Sequence, residues 1–326
     1  MCATPESNAA FDVLTIGRVS VDLYPEQSGV PLAEVTTFRK SLGGGPTNVA
    51  VAAARLGHRS AVITKVGADG FGAYVRSALR RFGVDDRYVG TDEYLRTPIV
   101  FCELHPPDDF PLLFYRLPRA PDINITSDDL DLDAIRRARI FWTTGTGLSA
   151  EPSRSATLAA LRARGQARFT VHDLDYRPSF WSSADEARRW QLEALSAASV
   201  VVGNRSEVEL VVGAGSPHEL AQRILDFGVE LAFVKLGPDG ALVARHDGVT
   251  QVDPVPVTVV NGLGAGDAFG GALCHGLLRG WTSHRILHFA SAAGAYVAGQ
   301  LACADAMPTE QQVNELLTME SIPDAR

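Results

Sequence analysis

The sequence predicts an α/β fold of three layers, a mostly parallel central sheet with helices on both faces, and a small β lid projecting from it. Three observations carry this prediction. Short apolar, β-branched runs bounded by turn residues recur along the 326 residues; helical periodicity follows most of them; and two proline-bearing stretches, 18–40 and 94–118, read as strands with no helix between. Strand-helix alternation winds a parallel sheet, because a parallel neighbour is reached only by a crossover of a dozen or more residues. Pro25, Pro31, Pro98, Pro106, Pro107, Pro111 and Pro118 cannot donate to a ladder, so the two stretches fit irregular edge strands, taken as the lid.

In order along the chain, buried strands are expected at 13–16, 61–66, 140–143, 168–172, 200–202, 231–235 and 241–244, most of them parallel. Helices are expected at 47–56, 72–82, 153–164, 186–197, 207–212, 217–227, 268–278 and 283–301. The segment HPPDDFP at 105–111 fits a hairpin loop joining two lid strands. One domain is expected over 11–318, between loose tails at 1–10 and 319–326.

Composition narrows the function. With 46% hydrophobic and 21% charged residues the chain belongs among globular, core-forming sequences. A net charge of −8, with no basic run, argues against nucleic acid or an anionic membrane as a partner. An anionic ligand must therefore be held inside a cleft by a few local cations and backbone N–H groups. Cys2, Cys102, Cys274 and Cys303 show no CxxC spacing, and the start MCATPESNAA has no basic-then-apolar pattern, so a reduced, cytoplasmic protein is expected. No apolar run approaches the roughly 20 residues that cross a bilayer.

Two segments carry chemistry. In the first, PVPVTVVNGLGAGDAFGGALCHGLLRGW at 254–281, a β-branched run leads through Gly262, Gly264, Ala265 and Gly266 to Asp267 and a small-residue helix. Glycines admit a ligand close to the backbone, and free N–H groups with the helix dipole favour an anion there. The turn lacks the GK[ST] of a Walker A loop and the third glycine of a dinucleotide fingerprint. In the second, FRKSLGGGPTNVAVAAARLG at 38–57, Gly43, Gly44 and Gly45 lead through Pro46 to Asn48, an amide able to bond substrate hydroxyls beside bare backbone. Each alone could be ordinary helix-entry chemistry.

Together, GGGPTN and GLGAGDAF resemble the two signatures of the ribokinase-like (phosphofructokinase B type) carbohydrate kinases. Gly17 and Asp22 in IGRVSVDLYP, the run Asn204-Arg205-Ser206-Glu207 and the run Lys235-Leu236-Gly237-Pro238-Asp239-Gly240 agree in order, and the resemblance covers about 11–318. It implies transfer of the ATP γ-phosphoryl group to a hydroxyl, with Asp267 accepting the proton. The amides of Gly264, Ala265, Gly266 and Asp267 would stabilise the developing charge. By the same resemblance Asn204 and Glu207 organise Mg²⁺ and its waters, Lys235, Gly237 and Gly240 line the nucleotide cleft, and Asp22, Gly44, Gly45 and Asn48 meet the acceptor. Many relatives carry Asp-Thr, linked to a monovalent cation, where this chain has Asn261-Gly262, which puts activation by K⁺ in doubt.

Two further strings resemble the sugar-acid branch of the family: HDLDYRPSFW at 172–181 and FPLLFYR at 110–116. By strand alternation Asp173 and Asp175 share a face, as either a metal-binding or a structural pair. Tyr115 and Arg116 end the second lid strand and Arg177 reaches the cleft; a planar guanidinium suits a carboxylate, so Arg116 is expected to hold the acid and Arg177 substrate or phosphate. The acceptor implied is 5-dehydro-2-deoxygluconate, phosphorylated at its C6 hydroxyl in inositol catabolism, with 2-keto-3-deoxygluconate or fructose next. A non-catalytic sugar or nucleotide sensor on the same fold would have no need of the base Asp267. A Rossmann oxidoreductase would need a glycine fingerprint that IGRVSVD lacks. Exposed lid edges suggest a homodimer.

Overall fold

The structure, a computed structural model, describes residues 10–320. Of the expected tails, 1–9 and 321–326 lie outside the described residues, whereas 319 and 320 close the last helix, Glu310–Glu320.

The central sheet runs in space from Gly248–Val252 through Ala241–Arg245, Leu231–Lys235, Val200–Asn204, Thr170–Asp173, Ile140–Thr144, Val13–Ile16 and Ser60–Gly67 to Val84–Asp85, with Val89–Asp92 also on Ser60–Gly67. All pairings are parallel except the two at the Gly248–Val252 end, where short turns at 236–240 and after Arg245 permit two antiparallel hairpins. Strand 241–245 is thus antiparallel, against the general expectation. Apolar residues fill both faces of the inner strands, as in Ile140–Thr144, every residue of which is buried.

Three strands and two helices escaped the sequence. Val84–Asp85 is two residues long, Val89–Asp92 and Gly248–Val252 are polar and partly exposed, and helix Leu132–Arg137 has six residues and two buried positions. None offers enough periodicity to stand out. Helix Glu310–Glu320 is polar and docks by Val313, Leu316 and Leu317.

A second sheet, in the order Phe38–Gly43, Ser20–Pro25, Ile99–Cys102, Leu112–Tyr115, stands against the body. Its inner pair is parallel and its outer pairs antiparallel. The 105–111 segment is the expected hairpin loop, closed by reciprocal His105 and Asp109 backbone bonds of 2.9 and 3.1 Å. Strand Leu112–Tyr115 is a free edge with Leu113 and Tyr115 exposed.

The site is set by how closely two helices approach. A Cβ on Gly271, in helix Ala265–Leu278, would stand 2.2 Å from Cβ of Ala52 in helix Gly45–Arg55, and one on Gly270 would strike the Trp142 ring at 2.8 Å. Both positions must be bare for the helices to pack, and that packing brings their N-termini together.

Candidate active site

The meeting of those N-termini is recorded by one bond: Asn48 Nδ2 donates to Asp267 Oδ2 at 2.8 Å, while Asn48 Oδ1 is buried without a partner. Helix Ala265–Leu278 starts at Gly264, which is left-handed at φ 83° and carries no side chain to cap the first turn. A Cβ on Gly264 would lie 2.6 Å from Cys303 Sγ. Glycine is obligatory there on both counts, and the first-turn N–H groups of Ala265, Gly266 and Asp267 are left to an outside acceptor.

Around this turn lies a cleft open at its mouth and lined by Arg18, Asp22, Gly44, Gly45, Asn48, Arg177, Gly264 and Asp267, with Phe114 from the second sheet. Gly44, at φ 103°, passes so close to the chain at Arg18 that a Cβ would be 2.5 Å from its carbonyl oxygen. A Cβ on Gly45 would project among Asp175, Arg18 and Asp267 at 3.4 to 3.5 Å, into the space where a polyol can lie. Asp22 accepts from Ser20 at 2.6 Å and Tyr24 at 3.2 Å; its burial raises its carboxyl pKa.

Charge in the cleft is organised by Asp175. It is the one non-glycine with positive φ among the described residues, at 25°. Its carboxylate takes Arg18 at 3.4 Å, Arg177 at 3.1 Å and the Thr146 hydroxyl at 2.8 Å. Burial alone would raise its pKa, but the two guanidinium charges and the hydroxyl hold it below the usual carboxylate range. A strained residue that gathers two cations is the sort of conformation that surrounding structure must enforce. Burial also pushes Asp267 up to about 6, against the Asn48 bond and the Arg18 charge.

On the far side of the glycine turn, Asn204 and Lys235 end adjacent parallel strands in register. Asn204 and Glu207 form a capping box: Asn204 Oδ1 accepts from Glu207 N at 2.9 Å and Glu207 Oε2 from Asn204 N at 2.7 Å, with Glu207 Oε1 taking Tyr176 N at 3.2 Å. No group of three or more His, Cys, Asp or Glu side chains able to hold a metal occurs among the described residues. Gly237, at φ 61°, faces open space, whereas Gly240 is packed so that a Cβ would be 2.0 Å from the Val252 carbonyl oxygen. Asn261 uses its amide on the chain, donating to Leu301 O at 2.7 Å and accepting from Leu263 N at 3.0 Å.

Two expected site residues are not brought here. Arg116 lies outside the cleft lining, bound through both terminal nitrogens to the buried Asp122 at 2.5 and 3.2 Å and stacked over Phe180. Its charge is already neutralised, so the expectation that it holds an acid is corrected. Tyr115 points outward, 61% exposed. The cation that the sequence reading overlooked is Arg18, although its place directly after strand Val13–Ile16, between Gly17 and Asp22, was a usable signal.

A mostly parallel α/β/α body with a four-stranded sheet standing over a cleft at the C-terminal strand ends, and a glycine turn opening a helix there, is the architecture of ribokinase-like sugar kinases. The chain belongs to that class by descent: residues 10–310 match the pfkB family carbohydrate kinase model, and it is a member of that family. A protein of Clostridium perfringens named 5-dehydro-2-deoxygluconokinase is 33% identical over 317 residues, covering 95% of this chain and 94% of the relative. A fructokinase of Vibrio cholerae O395, solved with fructose, ADP and calcium ion, is 28% identical with a TM-score of 0.82 over 94% of this chain and 99% of that one. An E. coli protein described as a ribokinase II candidate, solved with ATP and Mg²⁺, superposes with a TM-score of 0.86 over 95% of this chain and 99% of that one, at 23% identity. The protein is a sugar kinase. No helix among its described residues is long and apolar enough to cross a membrane.

Proposed function

We propose that this kinase transfers the γ-phosphoryl group of ATP to a terminal hydroxyl of a sugar acid, 5-dehydro-2-deoxygluconate phosphorylated at C6 being the acceptor that fits best. The observation that carries the acid is the convergence of Arg18 and Arg177 on Asp175 beside Asp267: two guanidinium groups share one carboxylate and both line the cleft, where an acceptor's carboxylate can take their remaining N–H groups. Relatives named 5-dehydro-2-deoxygluconokinase support the same acceptor. An ADP-release screen over sugars, keto-deoxy acids and 5-dehydro-2-deoxygluconate tests it; preference for a neutral hexose would overturn the acid and leave the kinase standing.

In this reading Asp267 is the base, oriented by Asn48, whose free Oδ1 accepts from an acceptor hydroxyl. Asp22, Gly44 and Gly45 shape the polyol site, and the N–H groups of Ala265, Gly266 and Asp267 meet the charge that develops on the phosphoryl group. Gly237 and Gly240 shape the nucleotide side. Raised to about 6 by burial, Asp267 must be ionised to act, so kcat/KM is expected to rise with pH through about 6, falling about tenfold per unit below it. A flat profile between pH 5 and 8 would count against this residue.

For Mg²⁺ the fit is that of an outer sphere. Both carboxylate oxygens of Glu207 accept one N–H and keep lone pairs, and no protein cage is present among the described residues, so Asn204 and Glu207 would hold the ion through its waters. Bound there, the ion would neutralise charge between the phosphates. Glu207→Gln keeps an oxygen for the cap while removing the charge; half-saturating Mg²⁺ is expected to rise about 10- to 100-fold with acceptor KM little changed. An unmoved Mg²⁺ titration would reject the assignment. The free edge at Leu112–Tyr115 with its exposed Leu113 and Tyr115 supports pairing with a second copy of the chain.

A further inference from the structure

One cation at the glycine turn stands apart from the rest. Arg18 and Arg177 are tied to Asp175, and Arg116 to Asp122, but Lys235 makes no hydrogen bond and no ion pair among the described residues. It ends strand Leu231–Lys235, and its ammonium reaches across to the helix start: a Cβ built on Gly266 would stand 3.2 Å from Lys235 Nζ. Burial favours the neutral amine, yet the charges of Asp173, Glu207, Asp267 and Asp175, acting without contact, hold its pKa above the ordinary lysine value. The result is a charged, half-buried ammonium without a protein partner among the described residues, placed beside the first turn of helix Ala265–Leu278. An anion is the ligand that fits between an ammonium and a helix N-terminus.

We infer that Lys235 is a catalytic residue that holds the transferring phosphoryl group, rather than a contact of the resting nucleotide. The inference rests on the kinase reading above. As the acceptor oxygen bonds to the γ-phosphorus, the bond from that phosphorus to the bridging oxygen breaks and its electron pair leaves on ADP; the acceptor's proton passes to Asp267. Lys235 keeps its protons throughout. Its ammonium lies on the equatorial oxygens with the N–H groups of the turn, strengthening as charge spreads over them.

The test uses full-length enzyme and the variants Lys235→Gln and Lys235→Arg, with kcat, acceptor KM, and calorimetric affinity for Mg-ADP alone and for Mg-ADP with fluoroaluminate and acceptor. Lys235→Gln is expected to lower kcat about 10²- to 10³-fold while ADP affinity and acceptor KM change less than about threefold, and to lose the gain in affinity that fluoroaluminate gives the wild type. Lys235→Arg should recover part of both. Equal weakening of ADP with and without fluoroaluminate would make Lys235 a ground-state nucleotide contact and overturn the inference, as would an unchanged kcat. If the Gln variant does not fold, the Arg variant decides: retained fluoroaluminate binding supports the role, and its loss in a folded protein rejects it. A wild type that releases no ADP with any sugar or sugar acid would instead sink the kinase reading itself.

Discussion

Asp267→Asn is expected to bind ATP and fold as the wild type does while its kcat falls about 10²- to 10⁴-fold, the range over which a positioned base contributes. The residue sits at the first turn of a helix whose cap, Gly264, has no side chain, and its Oδ2 is fixed by Asn48 at 2.8 Å. An amide keeps that shape but cannot take a proton. Because burial holds the wild-type carboxyl near 6, the loss should be nearly full at pH 8, where the wild-type base is ionised, and smaller at pH 5, where it is not. Steady-state kinetics at both values, with calorimetric ATP binding as the control, measure this. Retention of more than about a third of kcat at pH 8 would remove Asp267 from proton transfer.

Arg18→Ala should lower kcat/KM for the acidic acceptor about 10- to 150-fold, the equivalent of the 1.5 to 3 kcal/mol that a charge-assisted hydrogen bond is worth, and affect fructose far less. The structure directs this prediction to Arg18 and away from Arg116. Arg18 lines the cleft and faces both Asp175 and Asp267 across Gly45, whereas Arg116 is spent on Asp122 under the second sheet. Removing Arg18 also removes a charge that holds the Asp267 pKa down, so its acid limb should move to higher pH and the comparison belongs at pH 8 or above. Arg18→Lys is expected to recover little, since an ammonium cannot offer the paired N–H geometry. Equal losses for acid and neutral acceptors would show that Arg18 merely supports the cleft through Asp175.

The features legible in the sequence are local. Strand 231–235 and helix 153–164 were placed to the residue, because an apolar run or a 3.6-residue period is written within one element and closed by its own flanking residues. The glycine turn and its acid were legible for the same reason: Gly264, Ala265, Gly266 and Asp267 are neighbours in the chain, and the need for a bare, left-handed residue before a helix leaves its mark in composition. Asn48 was legible too, as an amide in a glycine-led helix entry. Relations between charges distant in sequence emerge only from the packed fold. That Asn48 touches Asp267 depends on Gly270 and Gly271 admitting Trp142 and Ala52 at short range, a packing fact about three segments at once. That Asp175 commands Arg18 and Arg177, that Arg116 is neutralised by Asp122, and that Lys235 is left without a partner among the described residues follow from the lengths and directions of side chains across the sheet ends. A guanidinium reads the same in the sequence whether its carboxylate is a substrate or a neighbour; the fold chooses between them, because at these distances the Coulomb term and the desolvation of each group depend on what else is packed alongside.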